Sequence, residues 1–226
     1  MRGVSILIPA YNEAERIGAS VQALRQAGFE GDITVVDDGS GDDTADIASK
    51  QGARVIRLTE NRGKGGAIMA GQAYLQSEIV LLLDADLQDS AGQALLLAEP
   101  VMTGQADMTI AVLPQGNSGR GFGLVKRMAQ LGVRMMTGKR VKAPLSGQRC
   151  MKKSVLESLL PLAPGFGLEV GMTVDALKLG YRLFEVETAL CHDPPGRDWR
   201  GFVHRGRQFC DVCAALWRRA GGKAHP

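Results

Sequence analysis

The sequence has few cysteines, and their spacing excludes a disulfide-stabilised fold. Four cysteines among 226 residues are too few and too unevenly placed for a framework of disulfide bonds. Cys210 and Cys213 form a CxxC, but a lone pair of this kind is weak support for zinc. Apolar residues surround these two at helical spacing, so we expect two cysteines packed along a helix.

Long apolar runs and a strong excess of one charge are also absent. No apolar stretch approaches the roughly 20 residues of a membrane-spanning helix, and the first residues lack the charged and then apolar pattern of a signal peptide. We therefore expect a cytoplasmic protein. The net charge of +3 gives no general surface for polyanions, so nucleic acid is not expected as a partner.

Short apolar runs alternate with helical patterns over the first 112 residues. Continuous runs of this length are typical of strands buried on both faces of a parallel sheet. They predict the strands Val4–Pro9, Ile33–Val36, Arg54–Leu58, Ile79–Leu83 and Met108–Val112. The helices predicted between them are Glu13–Ala27, with Asn12 as its cap, Asp42–Gln51 and Gly65–Gln76. We expect an α/β fold with a mostly parallel central sheet flanked by helices.

The second half predicts further helices and carries a concentration of basic residues. Helical patterns cover Leu124–Thr137, Ser154–Leu160 and Leu168–Leu179, and a strand pattern covers Arg182–Val186. The basic segment GKRVKAPLSGQRCMKK lies between the first two helices. We find no internal repeat and no linker that would divide the chain.

Every unusual polar cluster of the first half follows a predicted strand. The clusters are PAYNE, DDGSGDD, ENRGKGG and DADLQD, in chain order. In open parallel sheets, ligands bind beyond the carboxyl ends of the strands. We therefore expect the four clusters to meet at one edge of the sheet and form a binding site there.

The cluster DADLQD brings acids to the end of a pure hydrocarbon run. Alternate residues of an extended segment point the same way, so Asp84, Asp86 and Gln88 should project together. Two neighbouring carboxylates, with other positions left to water and phosphate oxygens, are typical of a Mg²⁺ or Mn²⁺ site that binds a diphosphate. The alternative is a solvated loop after a core strand, because a DxD pattern often occurs by chance.

Two familiar phosphate-binding patterns are missing. Residues 9–12 read PAYN, so the first turn lacks the glycine pattern of dinucleotide-binding folds, and NRGKGGA lacks the spacing of a P-loop. Lys64 and its neighbouring glycines could still approach a phosphate, or they could simply begin a helix. Asp38, at the end of the second strand, could accept a hydrogen bond from a base or a ribose hydroxyl.

Four motifs, VSILIPAYNEAERI, ITVVDDGSGDDTADIA, NRGKGGAIMAG and IVLLLDADLQD, occur in order over residues 4–112. Together they resemble the family 2 glycosyltransferases of the GT-A fold, and most closely the dolichyl-phosphate mannosyltransferase-like branch. The resemblance implies one Rossmann-like GT-A domain over residues 1–226. Residues 1–112 would bind the nucleotide sugar, and residues 113–226, with a basic C-terminal helix, would bind the acceptor.

The resemblance also implies the donor side of the site. A UDP- or GDP-sugar would bind at Pro9, Tyr11, Glu13, Asp38, Lys64 and Asp84. Mg²⁺ or Mn²⁺ on the donor diphosphate would be held by Asp84, Asp86, Gln88 and His192. Asp86 would thus be catalytic, because the metal withdraws charge from the departing nucleoside diphosphate. For His192 the alternative is an ordinary side chain after a strand.

On the acceptor side, the resemblance implies an inverting displacement onto a small molecule or a lipid phosphate. A hydroxyl acceptor needs a base, whereas a phosphate does not. Glu169 is expected to contact the acceptor or act as that base, the alternative being an acid that complements a helix dipole. Arg149, Arg197 and Arg205 could hold an anionic acceptor. The family's usual aspartate before SG is replaced here by Pro144-Leu145.

The basic C-terminal helix is a candidate for peripheral membrane contact. Its apolar positions with the adjacent arginines could lie along an anionic membrane surface, or they could pack against the domain; they are Phe209, Val212, Cys213, Leu216, Trp217, Arg218 and Arg219. Two other functions remain as alternatives. A nucleotidyltransferase normally opens with a Gly-rich loop that PAYNEAER does not resemble, and a non-catalytic nucleotide-sugar-binding domain would tolerate loss of the metal acids.

Overall fold

A seven-stranded sheet forms the centre of the computed structural model, which describes residues 3–114, 122–191 and 210–219. The strands are β1 Val4–Ala10, β2 Ile33–Asp37, β3 Arg54–Arg57, β4 Ile79–Leu82, β5 Met108–Val112, β6 Arg149–Lys152 and β7 Leu183–Glu187. Their order in the sheet is β3-β2-β1-β4-β6-β5-β7. Neighbouring strands are parallel except where β6 pairs with β4 and β5. The predicted α/β fold with a mostly parallel sheet is confirmed.

Helices connect the strands and cover both faces of the sheet. The α-helices are α1 Ile17–Gln26, α2 Thr44–Lys50, α3 Gly63–Gln72, α4 Glu99–Met102, α5 Phe122–Thr137, α6 Lys153–Ser158, α7 Leu168–Lys178 and α8 210–219. Two 3₁₀ helices cover Gln88–Leu97 and Gly165–Gly167. Ile6 and Ile8 pack on one face of the sheet and Leu7 on the other, which explains why β1 is apolar at consecutive positions.

The strand β6 is the one strand of the described sheet that the sequence pattern missed. It inserts antiparallel between β4 and β5, with Leu82 paired to Arg149. Arg149 is only 1% exposed, so this strand buries a charged residue where the pattern of buried strands normally has an apolar one. The apolar periodicity that predicts strands is therefore broken at the first residue of β6.

The prediction that α1 begins at Glu13 with Asn12 as its cap was wrong. The helix begins at Ile17, and no side chain caps its N-terminus through a hydrogen bond. Asn12 lies in the left-handed region with φ of 55°, and its side-chain oxygen accepts a hydrogen bond of 2.9 Å from the N–H of Gly41. The Asn12 side chain therefore joins two loops through this hydrogen bond and does not cap α1.

The helix α8 packs against the domain through most of its apolar residues. Val212 is fully buried and Ala215 is 5% exposed, whereas Trp217 is 79% exposed. Arg219 forms an ion pair with Asp175 of α7, with Nη2 and Oδ2 2.5 Å apart. Of the two alternatives for this helix, Val212 follows the second and packs against the domain, because burial against α5 and α7 removes its apolar surface from water.

The CxxC lies on this same helix, as its spacing predicts. Both cysteines are free thiols; Cys210 is exposed, and the sulfur of Cys213 lies 3.4 Å from the sulfur of Met128. Within the described ranges, none of the helices is both long and apolar enough to cross a membrane.

Candidate active site

A cleft of about 250 Å³ opens at the carboxyl edge of the sheet, beside β1 and β4. β1 lies between β2 and β4, and the cleft lies beyond the carboxyl ends of β1 and β4, where open α/β sheets bind ligands. The lining residues are Pro9, Ala10, Tyr11, Glu13, Asp38, Lys64, Ala67, Asp84, Ala85 and Asp86. The structure therefore brings together every residue predicted to bind the nucleotide, and Asp86, which was predicted to bind the metal, also lines the cleft.

Hydrogen bonds between two loops shape one wall of the cleft. The N–H of Asn12 donates to Ser40 Oγ at 2.9 Å, and the N–H of Glu13 donates to Thr44 Oγ1 at 2.8 Å. The motif PAYNE after β1 is thus held against DDGSGDDT after β2. This contact gives Pro9 and Tyr11 a fixed backbone from which to line the cleft.

Asp38 ties the next loop to the same wall. Its side chain is 3% exposed, and its Oδ1 accepts a hydrogen bond of 2.8 Å from the backbone N–H of Arg62. Gly39 beside it has φ of 74°, and a Cβ there would come within 2.9 Å of the carbonyl carbon of Glu60. The loops after β2 and β3 therefore approach each other too closely for a side chain at position 39.

Glu13 lies in the cleft with a carboxyl group that is harder to ionise than usual. Burial raises its pKa, an effect that the guanidinium of Arg16 opposes and the carboxylates of Asp86, Asp42 and Asp84 reinforce. Glu13 Oε2 and Arg16 Nε lie 3.0 Å apart. The neighbouring carboxylates thus add to the cost of ionising Glu13, and a cation bound among these acids would reduce that cost.

Asp84 and Asp86 lie at a turn, and Ser20 of α1 fixes this turn through two hydrogen bonds. The hydroxyl of Ser20 donates to the carbonyl of Ala85 at 2.7 Å and accepts from the N–H of Gln88 at 2.8 Å. The argument from strand alternation was wrong here, because β4 ends at Leu82 and the chain turns at residues 85–86. Asp84 and Asp86 still line the cleft, but Gln88 begins a 3₁₀ helix with φ of 46° and is not among the lining residues.

Lys64 links Asp84 to Glu169 across the cleft. Its Nζ lies 2.5 Å from Asp84 Oδ1 and 2.8 Å from Glu169 Oε1. Burial alone would lower the pKa of Lys64, but the two carboxylates outweigh it and hold the pKa above its ordinary value. Lys64 is therefore a permanent cation in the site, and Glu169 of α7 lies at the site as the sequence predicts.

Gln148 is a site residue that sequence reasoning missed. Its side chain is fully buried, and its Nε2 donates a hydrogen bond of 2.7 Å to Asp84 Oδ2. A glutamine in the basic segment SGQRC carries no signal of its own. Its position becomes informative only once β6 is seen to pair with β4, which places residues 146–149 beside the end of β4.

Comparison with known proteins agrees with this geometry. Residues 5–158 match the model of the family described as Glycosyl transferase family 2. The chain belongs to glycosyltransferase family 2. This confirms the resemblance inferred from the four motifs.

Curated relatives in family 2 are similar over part of their own length. Glycosyltransferase AglJ of Haloferax volcanii is 30% identical over 204 residues, which is 86% of this chain and 65% of that protein. The undecaprenyl-phosphate 4-deoxy-4-formamido-L-arabinose transferase of Pseudomonas fluorescens is 38% identical over 111 residues, 45% of this chain and 33% of that protein. The chain thus spans less than two thirds of the length of either relative.

A solved family relative has the same fold. The crystal structure of glucosyl-3-phosphoglycerate synthase from Mycobacterium tuberculosis in complex with Mn²⁺, uridine diphosphate and phosphoglyceric acid superposes with a TM-score of 0.83 and 28% identity. The match covers 97% of this chain and 79% of that chain. The GT-A expectation for the fold is thereby confirmed.

The expectation that Arg149 reaches an anionic acceptor does not fit its environment. Its guanidinium lies inside the protein and donates to the carbonyls of Ser146 and Pro144, at 2.9 and 3.0 Å, and to Thr173 Oγ1 at 3.0 Å. Burial lowers the pKa of Arg149 to about 10, which the carboxylates of Glu169 and Asp84 partly oppose. Arg149 therefore fixes the segment that carries Gln148, because its donors already serve protein acceptors.

The donor atoms of the cleft fit a Mg²⁺ or Mn²⁺ ion that binds together with a ligand. No group of three or more His, Cys, Asp or Glu side chains suited to a metal occurs in residues 3–114, 122–191 and 210–219. Mg²⁺ sites at phosphate ligands commonly use only one or two protein carboxylates, with water and phosphate oxygens completing the shell. Asp84 and Asp86 satisfy that requirement, while the predicted ligand His192 and the predicted acceptor contacts Arg197 and Arg205 lie outside the described residues.

Proposed function

We propose that this family 2 chain is a glycosyltransferase that moves a sugar from a nucleoside-diphosphate sugar to a phosphorylated acceptor with the help of Mg²⁺ or Mn²⁺. The observation that carries the proposal is the cleft at the edge of β1 and β4. There, four carboxyl side chains, Asp84 and Asp86 among them, converge with Lys64 beside Pro9 and Tyr11. The M. tuberculosis relative, crystallised with Mn²⁺, uridine diphosphate and phosphoglyceric acid, supports the same ligand set.

The residues of the cleft divide between the parts of the donor. Pro9 and Tyr11 would pack against the nucleoside, with Asp38 accepting a hydrogen bond from the base or the ribose. Asp84 and Asp86 would hold the metal, which, when bound, stabilises the charge of the departing diphosphate as a Lewis acid. Lys64 adds a positive charge next to Asp84 and so lowers the electrostatic cost of a polyphosphate in the cleft.

The acceptor is a phosphorylated compound in this proposal. Phosphoglyceric acid in the M. tuberculosis structure and the undecaprenyl phosphate in the name of the P. fluorescens relative share this chemistry. Glu169 would face the acceptor from α7. As a base for a hydroxyl acceptor it would have to exchange its contact with Lys64 Nζ, whereas a phosphate nucleophile is already anionic and requires no base.

Product analysis tests this proposal. The chain is incubated with Mn²⁺, with UDP- and GDP-sugars in turn, and with phosphoglyceric acid or a polyprenyl phosphate, and glycosylated product is followed by mass spectrometry. We expect product with at least one pair and none with Asp86→Ala. Nucleotide-sugar binding without product would support a binding domain instead. Pyrophosphate release from a nucleoside triphosphate and a sugar phosphate would support a nucleotidyltransferase.

We propose further that a face of α5 and α8 contacts an anionic lipid surface. Leu131, Met135 and Trp217 are 56%, 78% and 79% exposed and line an apolar groove of about 560 Å³. The same two helices expose Arg127 and Arg218, and α5 contains no acidic residue. Apolar side chains combined with cations fit the boundary of an anionic bilayer, whereas a second copy of this face would oppose like charges.

Vesicle binding tests the lipid contact. We expect the chain to sediment with vesicles of phosphatidylcholine and phosphatidylglycerol but not with pure phosphatidylcholine. The double variant Met135→Gln with Trp217→Ser should lose this binding. Leu96→Gln is the control, since Leu96 is an exposed leucine on the 3₁₀ helix Gln88–Leu97, which packs against α1. Equal sedimentation of both variants, or concentration-dependent dimers in place of lipid binding, would contradict the proposal.

A further inference from the structure

Each carboxylate oxygen of Asp84 contacts a different kind of side chain. Lys64 Nζ lies 2.5 Å from Oδ1, and Gln148 Nε2 lies 2.7 Å from Oδ2. Gln148 is completely buried, whereas the side chain of Lys64 is 31% exposed. One partner is thus part of the protein interior, and the other can reach solvent and ligands.

The orientation of Gln148 is set by its own neighbours. Ser146 Oγ contacts Gln148 Oε1 at 3.2 Å, so the serine hydroxyl serves as donor to the amide oxygen and the amide NH₂ faces Asp84. Arg149 then fixes this segment by donating to the carbonyl of Ser146. Because hydrogen bonds fix both the amide oxygen and the NH₂ group of Gln148, this buried side chain has a single favourable orientation.

Gly147 shows how closely this segment fits around the ion pair. A Cβ at position 147 would lie 2.5 Å from Asp84 Oδ2 and 2.5 Å from Lys64 Nζ. The backbone of residues 146–148 therefore forms the floor under Asp84 and Lys64. Any residue other than glycine at position 147 would therefore displace the side chain of Asp84 or that of Lys64.

Lys64 has a second partner that it can keep when Asp84 takes another cation. Its Nζ also contacts Glu169 Oε1 at 2.8 Å. A divalent ion bound at Asp84 would repel an ammonium only a few ångströms away. Lys64 can then move toward Glu169 or a ligand phosphate without leaving a carboxylate unpaired.

We infer that Gln148 is the positioning residue that fixes Asp84 for metal binding, and that Lys64 is the resident cation that the metal displaces from Asp84. The inference rests on the proposed function, which makes Asp84 a metal ligand. It requires opposite effects from two substitutions. Removing the Gln148 donor should weaken metal binding, and removing the Lys64 charge should strengthen it when no nucleotide is present.

Electron paramagnetic resonance of Mn²⁺ measures both effects without any turnover. With saturating UDP or GDP, Gln148→Met should bind Mn²⁺ about 10–100-fold more weakly than the wild type, the usual effect of losing a group that orients a metal ligand. Without nucleotide, Lys64→Met should bind Mn²⁺ roughly tenfold more tightly, since one unit charge near the ion has been removed. Lys64→Arg keeps the charge and should stay near the wild type.

The control for Gln148→Met is Cys150→Ala, which changes a buried position of β6 two residues further on, whose side chain packs in the apolar core. It should leave the Mn²⁺ spectrum and affinity unchanged while thermal unfolding reports any loss of stability in both variants. Wild-type Mn²⁺ affinity in Gln148→Met would overturn the positioning role. If Lys64→Met binds Mn²⁺ no more tightly than the wild type in the absence of nucleotide, the displacement is overturned. The same holds if neither of these two proteins binds Mn²⁺ measurably without nucleotide. A wild type that binds no Mn²⁺ even with nucleotide would instead contradict the proposed function.

Discussion

Ser20 of α1 donates a hydrogen bond of 2.7 Å to the carbonyl of Ala85, between the two acids of the cleft. This bond crosses 65 positions of the sequence and joins the first helix to the turn after β4. The same hydroxyl accepts from the N–H of Gln88, so one side chain satisfies both ends of the turn. The positions of Asp84 and Asp86 therefore depend on Ser20, a residue outside the four polar clusters that follow the strands.

Ser20→Ala tests this dependence. We expect a loss of about 1–3 kcal/mol in the free energy of unfolding, because the Ala85 carbonyl and the Gln88 N–H lose a buried partner. Denaturant unfolding measures the loss, and Mn²⁺ binding should weaken with it. Ser5→Ala is a matched control, since Ser5 is also fully buried but its hydroxyl has no hydrogen-bond partner among the described residues. A similar loss in both variants would contradict a specific role of Ser20.

Arg149→Lys separates an internal role from an acceptor contact. A lysine keeps the charge but cannot reproduce the three directed hydrogen bonds of the guanidinium. We expect a loss of about 1.5–3 kcal/mol in the free energy of unfolding, measured in denaturant. If Arg149 instead served the acceptor, unfolding would be unchanged and only the KM for the acceptor would rise.

The ion pair of Asp175 and Arg219 is expected to anchor α8. Their side chains are 11% and 13% exposed, and Arg219→Met would leave Asp175 buried without its partner. The expected loss is about 3–5 kcal/mol if α8 stays in place, and less if the helix detaches and lets water reach Asp175. Lys142→Met is the control, because the pair Lys142–Glu187 is 71% and 81% exposed and 3.6 Å apart. Exposed pairs of this kind contribute about 1 kcal/mol at most.

Asp107 gives a prediction for pH. Hydrogen bonds from Arg182 hold its pKa well below the ordinary value of 3.8; burial opposes this effect, and Lys152 reinforces it. Because the folded pKa is below the unfolded one, the stabilisation is complete above pH 3.8 and is lost as the pH falls toward the folded pKa. Unfolding of the wild type and Asp107→Asn at several pH values should therefore show a large difference at neutral pH that shrinks in acid. A difference that is constant between pH 7 and pH 2 would contradict this assignment.

The first half of the fold was predictable because its strands are uniformly apolar. The strands β1 to β5 were all found from runs such as Val4–Pro9, and the polar clusters after them meet as parallel strands require. The family motifs lie in this same region. The gathering of Pro9, Asp38, Lys64 and Asp84 at one edge follows from topology alone.

The second half was harder to predict because polar residues there are buried. Arg149 was expected to hold an anionic acceptor, and nothing local indicates that carbonyls and Thr173 enclose it. Gln148 gains its role from a neighbour 64 positions away. Contacts of this kind depend on the pairing of β6 with β4, and the apolar pattern that would predict β6 is interrupted by Arg149 itself.

The reversed direction of β6 has a consequence for how the site is assembled. The parallel strands β1 and β4 reach the cleft with their carboxyl ends, whereas β6 runs in the opposite direction, so the connection that precedes β6 delivers Gln148 to Asp84. Asp84 and its buried partner Gln148 are consequently supplied by connections of opposite polarity, one that follows β4 and one that precedes β6. A change of length in the segment before Pro144 is therefore expected to alter the surroundings of Asp84 while the hydrogen bonds of Ser20 still hold the turn after β4.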